Sequence, residues 1–335
     1  MIKKAYLLIA IMAMLAMFSG CKDSTTEPEP EDGTEFEIIL EAVDYSLSTM
    51  SATYNSSVLD SLITAGNPPQ ILSVRAASIY EIGHIPGALN TGWKDVYNPA
   101  NLAGITKTDP LVVYCYTGHS GALATLCLNV LGYNSVNLKF GIMSWTKDST
   151  VRGTNPFNED TDCIDAATST TIESYPATNY LPVVNNTNST DEGEIITAAV
   201  EAYLTSSPSA TISAQTLYDN LNDGDTSNDP FILSVRAASA YEIGHIPGAA
   251  NIPWSTLASD TTALKILPTD KQIVVYCYTG HTGGLATAGL NLLGYNAVNL
   301  KWGICSWTSD PAVRIASPFS EEDFGDYPIE TGGTI

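Results

Sequence analysis

The sequence predicts an α/β protein of two tandem domains, each with a mainly parallel sheet flanked by helices. A block of 20 residues that begins at Ile71 recurs from Ile232 with 18 identical positions. A second block of 36 residues that begins at Leu111 recurs from Ile273 with 27 identical positions. Within each copy, short β-rich runs alternate with apolar segments of helical spacing, a pattern typical of a parallel sheet covered by helices.

The repeat period of about 160 residues sets the predicted domain boundaries. Because this period is far longer than that of solenoid repeats, we expect each copy to be an independent globular unit. The first domain is predicted at residues 37–175 and the second at residues 193–330. Residues 176–192 are rich in Asn, Thr and Pro and are predicted to form the linker.

The first copy illustrates the local pattern. Residues 70–74 and Leu111–Tyr114 are short apolar runs that predict buried parallel strands. Residues 123–131 have helical spacing and stop at Gly132, which predicts a helix packed on the sheet. Ligand sites in such sheets lie at the carboxyl ends of the strands, so the functional residues are expected there.

Residues 1–20 have the features of an export signal. Lys3 and Lys4 form a basic start, and the apolar run that follows is too short to cross a membrane comfortably. The Ser-Gly pair directly before Cys21 resembles the bacterial lipobox, which implies cleavage after residue 20 and a lipid anchor on Cys21. An ordinary secretory signal followed by a chance cysteine is the alternative. Residues 21–36 are acidic and Pro-rich, which predicts a flexible tether.

The predicted location follows from this segment. A membrane, reached through lipid on Cys21, is an expected partner, and the chain is expected outside the cytoplasm. Lys22 stands where an Asp often signals inner-membrane retention, which favours the outer membrane over the inner one.

The charge balance argues against two kinds of partner. The formal net charge is −22, and it becomes −24 when residues 1–20 are removed together with Lys3 and Lys4. Nucleic acid and anionic membrane surfaces bind clustered Lys and Arg, so neither is expected as a partner.

The cysteines fall into three groups. If Cys21 carries lipid, five of the six cysteines remain, and this odd number leaves at least one thiol unpaired within the chain. Cys115 and Cys277 occupy the same place in the two copies. The others have no cysteine counterpart and are expected to be packing residues, with a disulfide among them left open: Cys127, Cys163 and Cys305.

Cys115 and Cys277 each follow a predicted strand and precede a Gly-rich loop that leads into a helix. Glycines let such a loop curl, so that several N–H groups at the helix start point at one place and favour an anion there. A thiol at this place ionises more easily, and the same loop can hold an anionic persulfide. The candidate loop residues are Tyr116, Thr117, Gly118, His119, Ser120 and Gly121 in the first copy and Tyr278, Thr279, Gly280, His281, Thr282 and Gly283 in the second.

Three blocks of the sequence resemble the rhodanese domain. They are R-x-x-x-x-Y-E-x-G-H-I-P-G-A-x-N, a strand ending in C-Y-T-G-H, and a closing L-G-Y-N-x-V-N-L-K-x-G-I-x-S-W, which together cover nearly all of both copies. The resemblance implies two tandem rhodanese-like domains in which Cys115 and Cys277 are the catalytic cysteines. It implies a sulfurtransferase that works through a cysteine persulfide, and no cofactor is expected.

Two departures from the family pattern bear on the substrate. Ser73 and Ser234 replace an acid that commonly precedes the arginine of the first block. Ser120 and Thr282 occupy the loop position at which many single-domain members have an arginine. Without that cation, the dianion thiosulfate fits less well than a polysulfide or a low-molecular-weight persulfide. The missing arginine also argues against the activity of the related cell-cycle phosphatases, because a phosphate group needs a guanidinium to bind it.

Other residues of the loops have open roles. His119 and His281 either orient donor anions, or tune the thiolate by gaining charge near neutral pH, or face solvent. Ser120 and Thr282 are predicted to be helix N-caps.

Residues outside the loops are expected to shape the fold. Arg75 and Arg236 are predicted supporting residues that form buried ion pairs with Glu81 and Glu242, with a direct role in substrate binding as the alternative. Structural hydrogen bonds are expected for His84 and His245, and a surface or interdomain position for Arg152 and Arg314. No spacing of Cys and His resembles a metal site, so no metal is predicted.

The sequence therefore predicts an extracytoplasmic sulfurtransferase. Its small-molecule partners are a donor (polysulfide, persulfide or thiosulfate) and a thiol or cyanide-like acceptor, and a protein can serve as acceptor as well. The alternative is a non-catalytic module of the same fold that binds or senses sulfane sulfur, or docks a partner protein. Thiol–disulfide exchange is less favoured, because no C-x-x-C pair supplies a resolving thiol.

Overall fold

The computed structural model describes residues 34–153, 157–206, 209–314 and 318–333. In these ranges the strands form two parallel sheets, one in each copy, with helices packed against both. The predicted α/β class with two mainly parallel sheets is confirmed.

The first sheet has the strand order β2-β1-β3-β4, and every neighbouring pair is parallel. Its strands are β1 (Gln70–Ser73), β2 (Leu89–Asn90), β3 (Leu111–Tyr114) and β4 (Ser135–Asn137). The helices of this copy are α1 (Glu35–Thr49), α2 (Ser56–Thr64), α3 (Ala77–Tyr80), α4 (His119–Val130), α5 (Ser149–Arg152) and α6 (Glu159–Asp162). Short 3₁₀ turns lie at Pro99–Leu102 and Gly141–Ser144.

The second sheet has the order β5-β9-β8-β6-β7, again with parallel neighbours. Its strands are β5 (Thr211–Ile212), β6 (Phe231–Ser234), β7 (Ala250–Asn251), β8 (Ile273–Tyr276) and β9 (Ala297–Leu300). The helices are α7 (Glu192–Thr205), α8 (Ala214–Leu221), α9 (Ala238–Ile243), α10 (Thr261–Leu264), α11 (His281–Leu292) and α12 (Ile304–Trp307). Short 3₁₀ turns lie at Trp254–Thr256 and Glu321–Asp323.

The central strands β3 and β8 hold the key position in each sheet. All four residues of each strand are buried, as their apolar sequences LVVY and IVVY predict for strands covered on both faces. Both strands end directly before a cysteine, so the sheet edge fixes where each thiol lies.

The most extensive contact between the two copies is that of α4 against α11. Small residues let these helices approach closely, since a Cβ on Gly284 would lie only 2.8 Å from the Ala122 Cβ. Val43 of α1 belongs to the same apolar core as residues of both helices. The core is therefore continuous across the two copies.

The tail of the first copy packs on the second copy. Ile164 N–H donates to the Ser306 carbonyl at 3.0 Å, and Ala166 N–H donates to the Trp307 carbonyl at 2.7 Å. The Trp307 indole in turn donates to the Ala167 carbonyl at 2.9 Å. This tail thus crosses from the sheet of its own copy to the other one.

The tail of the second copy makes the reciprocal crossing. Tyr327 N–H donates to the Trp145 carbonyl at 2.8 Å, and the Trp145 indole donates to the Pro328 carbonyl at 2.7 Å. The expectation of two independent globular units is therefore wrong, because each copy is completed by the tail of the other. The boundaries at residues 37–175 and 193–330 stay predictions.

The predicted export signal and the lipid site at Cys21 lie outside the described residues. Within the described ranges, no helix combines the length and the apolar character that a membrane crossing requires.

Candidate active site

Each candidate cysteine lies at a strand-to-helix junction. Cys115 follows β3, and α4 begins four residues later at His119. The residue that caps this helix is Gly118, with a left-handed backbone at φ 86°, and its counterpart Gly280 has φ 87°. Glycine adopts this conformation without the strain that a Cβ causes, so the loop can turn sharply here.

The turn brings a backbone amide to each sulfur. Gly118 N–H donates to the Cys115 Sγ at 3.1 Å, and Gly280 N–H donates to the Cys277 Sγ at 3.1 Å. An N–H group at a helix start stabilises a negatively charged sulfur. Both copies therefore have the local geometry that holds a thiolate or a persulfide.

Both sulfurs are shielded from solvent in this conformation. Cys115 is 3% exposed and Cys277 is 2% exposed, and both belong to the apolar core that joins the copies. A sulfur donor can reach them only when the surrounding groups move.

A buried asparagine on the neighbouring strand holds each loop from behind. Asn137 Nδ2 donates to the Gly118 carbonyl at 3.0 Å, and Asn299 Nδ2 donates to the Gly280 carbonyl at 2.8 Å. A Cβ on Gly121 would lie 2.6 Å from the Asn137 Oδ1, so a side chain at this position requires Asn137 to shift. Sequence reasoning missed these asparagines, although the repeated V-N-L places a polar residue in an otherwise apolar strand of both copies.

Ser120 and Thr282 are not helix N-caps, so that prediction is wrong. The helices begin one residue before them, and Gly118 and Gly280 occupy the capping positions. Because the capping residue is the glycine with the left-handed backbone, each helix begins earlier than it would with the hydroxyl of Ser120 or Thr282 as its cap.

The loop histidines are buried, which rules out the solvent-facing alternative. His119 and His281 are each 3% exposed. Their Nδ1 atoms lie 2.7 Å from the Thr117 Oγ1 and 2.9 Å from the Thr279 Oγ1, respectively. Their rings stack on each other with centroids 5.8 Å apart, which places the two cysteine loops face to face.

Burial keeps both imidazoles neutral. Desolvation lowers the pKa of His119 from its ordinary value of 6.5 to about 4. Desolvation, followed by the charge of His119, lowers the pKa of His281 well below its ordinary value. Neither histidine gains charge near neutral pH, contrary to one of the predicted roles.

The supporting arginines bind backbone carbonyls instead of the predicted acids. The Nη2 of Arg75 donates to the Gly83 carbonyl at 2.7 Å and its Nη1 to the Val151 carbonyl at 3.2 Å. Its guanidinium also lies over the Tyr116 ring, 5.6 Å from the centroid. Glu81 is exposed, so the predicted ion pair is wrong. The carbonyl oxygens of Gly83 and Val151 bind the guanidinium in place of the Glu81 carboxylate, whose side chain is exposed to solvent.

Arg236 repeats this arrangement with one difference. Its Nη2 donates to the Gly244 carbonyl at 2.6 Å, and Glu242 is exposed. Its Nη1 is buried and makes no hydrogen bond. The second predicted ion pair is therefore wrong for the same reason.

His84 and His245 have the predicted structural role. His84 Nδ1 lies 2.9 Å from the Tyr80 carbonyl, and His245 Nδ1 lies 2.8 Å from the Tyr241 carbonyl. The His84 ring also stacks on the Tyr80 ring, and the His245 ring on the Tyr241 ring, with centroids 3.8 Å apart in both pairs.

Arg314 lies at the contact between the copies, as one of the predicted alternatives requires. It forms an ion pair with Glu159 at 3.2 Å and donates to the Cys163 Sγ at 3.2 Å, both in the tail of the first copy. Its counterpart Arg152 lies over the Phe324 ring in the tail of the second copy, 4.7 Å from the centroid.

The other described cysteines form no disulfide. All five cysteines in the described ranges lack a disulfide, which decides the question left open by the sequence. Cys127 and Cys305 are fully buried, as expected for packing residues, and Cys163 is partly buried. Burial raises the pKa of the Cys127 thiol strongly and that of Cys305 to about 12, so both stay protonated at neutral pH. Within the described part of the chain, no three His, Cys, Asp or Glu side chains form a group that could hold a metal ion.

These observations define a duplicated α/β protein with a cysteine at the same strand-to-helix junction in each half. The family comparison agrees, because the rhodanese-like domain profile matches residues 56–148 and 213–310, which is more than half of the chain. The chain belongs to the rhodanese-like domain family.

Several relatives have sulfurtransferase names. A thiosulfate sulfurtransferase of Corynebacterium glutamicum is 28% identical over 249 residues, which cover 66% of this chain and 75% of that protein. An adenylyltransferase and sulfurtransferase of Meyerozyma guilliermondii is 38% identical over 89 residues, which cover 25% of this chain and 21% of that protein. The match thus spans about a fifth of the length of the Meyerozyma protein.

Solved structures with similarity include a rhodanese-related protein from Thermoplasma volcanium. It is 30% identical, with a TM-score of 0.26, and the match covers 36% of this chain and 96% of that one.

Proposed function

We propose that this protein is an extracytoplasmic sulfurtransferase in which Cys115 and Cys277 each carry sulfane sulfur as a persulfide. The observation that carries the proposal is the amide of Gly118 or Gly280, held 3.1 Å from each sulfur at a helix start. That geometry favours the anionic forms of sulfur on which the reaction depends.

The reaction has two balanced steps. First, the cysteine thiolate attacks the sulfane sulfur of a donor, a new S–S bond forms, and the donor leaves with the electron pair of its broken bond. The acceptor then attacks the outer sulfur of the persulfide and takes it, and the S–S bond breaks to return the thiolate. Splitting the transfer in this way replaces one difficult step by two easier ones.

The composition of the loops favours a donor with little charge. Ser120 and Thr282 supply no cation, and the buried His119 and His281 are neutral at neutral pH. A small organic persulfide or polysulfide, which carries at most one charge on its sulfur chain, therefore suits these sites better than thiosulfate, whose two charges need a cation or more amides.

The proposed location is the cell envelope, through lipid on Cys21. The observation behind it is the basic start, apolar run and Ser-Gly-Cys sequence of residues 1–21. Fatty-acid labelling of cells that express the wild type or Cys21→Ser tests this, and equal labelling of the two proteins overturns it.

A second candidate function is a non-catalytic module that binds or senses sulfane sulfur. The burial of both sulfurs favours it, because a thiol 2–3% exposed is a poor site for rapid turnover unless the surroundings open. Such a module loads sulfur but passes almost none to an acceptor.

One experiment separates these functions. Purified wild type, Cys115→Ser, Cys277→Ser and the double variant are exposed to polysulfide or thiosulfate, and their intact masses are measured before and after cyanide is added. A sulfurtransferase gains sulfur on each remaining cysteine and releases it as thiocyanate. Loading without release supports the module, and no loading with any donor rejects both functions.

A further inference from the structure

We propose that each loop histidine is a positioning residue for the cysteine of the opposite copy. His119 holds the loop of Cys277, and His281 holds the loop of Cys115. This inference deepens the proposed function and rests on it, because it concerns the same two sites.

The contacts of His119 cross the interface. Its Nε2 lies 3.1 Å from the Thr279 carbonyl oxygen and 3.2 Å from the Trp302 backbone nitrogen. With the ring proton on Nδ1, the Nε2 accepts from Trp302 N–H, and with the proton on Nε2 it donates to the Thr279 carbonyl. In either tautomer the partner belongs to the second copy.

His281 makes the mirror contacts. Its Nε2 accepts from Phe140 N–H at 3.0 Å, just as the His119 Nε2 lies against Trp302 N–H. The exchange is therefore reciprocal, and neither loop is complete without the other copy.

These contacts reach the sulfur through short backbone segments. Thr279 precedes Gly280, whose N–H donates to the Cys277 Sγ. Two residues after Trp302, the N–H of Ile304 donates to the Cys277 carbonyl at 2.9 Å. The Nε2 of His119 thus lies against both segments that enclose Cys277 and hydrogen-bonds one of them in either tautomer, so its loss loosens the enclosure of Cys277.

The close approach is built into the backbone. A Cβ on Gly280 would lie 2.4 Å from the His119 Cδ2, and a Cβ on Gly118 would lie 2.6 Å from the His281 Nε2. Phe140 and Trp302, whose amides face the histidines, have left-handed φ values of 60° and 65°. Non-glycine residues keep this conformation only where the surroundings enforce it, often at functional sites.

The test measures both cysteines in one protein. Wild type, His119→Leu and His281→Leu are alkylated with iodoacetamide across a range of pH, and peptide mass spectrometry gives the rate at Cys115 and at Cys277. The midpoint of each rate profile reports how strongly the loop stabilises the thiolate, independently of how exposed the sulfur is. The two histidine variants are matched controls for each other.

We expect His119→Leu to raise the midpoint of Cys277 by roughly half a pH unit or more and to leave that of Cys115 unchanged. His281→Leu is expected to give the opposite pattern. A shift at the cysteine of the same copy, or an equal shift at both, overturns the inference.

A second pair of variants decides the matter if the leucine variants do not fold. In His119→Gln the side-chain amide occupies the place of Nε2 and keeps the contact across the interface. In His119→Asn it occupies the place of Nδ1 and keeps only the contact with Thr117. We expect the Asn variant to shift the Cys277 midpoint and the Gln variant to preserve it, and the reverse order overturns the inference.

Failure of the proposed function has a different signature. If the wild type takes up no sulfur from any donor, the sulfurtransferase is rejected, whereas the alkylation midpoints still report whether the histidines position the opposite loops.

Discussion

Acidification is expected to destabilise the folded chain through the buried imidazole of His119. In the folded state the pKa of His119 is lowered from 6.5 to about 4 because burial removes the ring from water, and Lys301 adds a smaller repulsion. The unfolded chain therefore binds a proton at a pH where the folded chain does not. The stability present above pH 6.5 is lost as the pH falls towards 4.

The magnitude follows from the size of the shift. Each pH unit over which only the unfolded state is protonated costs about 1.4 kcal/mol. For His119 this amounts to ~2.5 kcal/mol between neutral pH and about pH 4.5. His281 adds a loss of the same sign, because its pKa is also lowered by burial and by repulsion from His119 and Lys139.

Urea unfolding of wild type and His119→Gln at both pH values measures the effect. Protonation of the many carboxylates is common to both proteins, so the informative quantity is the difference between their losses of unfolding free energy. We expect His119→Gln to lose ~2.5 kcal/mol less than the wild type on acidification. Equal losses refute the argument, since they mean that His119 titrates alike in the folded and unfolded chains.

Three further predictions concern the contact between α4 and α11, the support of the first cysteine loop and the tail of the second copy. Gly284→Ala puts a methyl group 2.8 Å from the Ala122 Cβ, and overpacking minus the gain in helix propensity should cost about 1 kcal/mol of unfolding free energy in denaturant titration. Adding Ala122→Gly should recover part of that loss, and a strictly additive loss contradicts the contact. Asn137→Ala removes the bond to the Gly118 carbonyl and should slow sulfur loading of the first cysteine severalfold while the second keeps its rate, as site-resolved mass spectrometry will report. Truncation after residue 318 removes the acceptor of the Trp145 indole and should lower the melting temperature by several degrees, and an unchanged melting curve contradicts the tail exchange.

The sequence predicts a local feature well when the residues that cause it are neighbours in the chain. Strand β3 has the predicted bounds Leu111–Tyr114, because four consecutive apolar residues bury both faces of a parallel strand. Helix α4 begins at His119, four residues before its predicted start at residue 123. The earlier start follows from the left-handed Gly118, which turns the chain within the loop.

The sequence by itself determined the duplication, the two parallel sheets and the place of each cysteine at the end of a strand. Repeated blocks and apolar periodicity are local properties, so they could be read without coordinates. Only the tertiary structure decided that Arg75 binds the Gly83 carbonyl and that His119 reaches the loop of Cys277. It also decided that each tail completes the other copy. These features depend on how distant segments pack against each other, and the identity of neighbouring residues along the chain does not encode that.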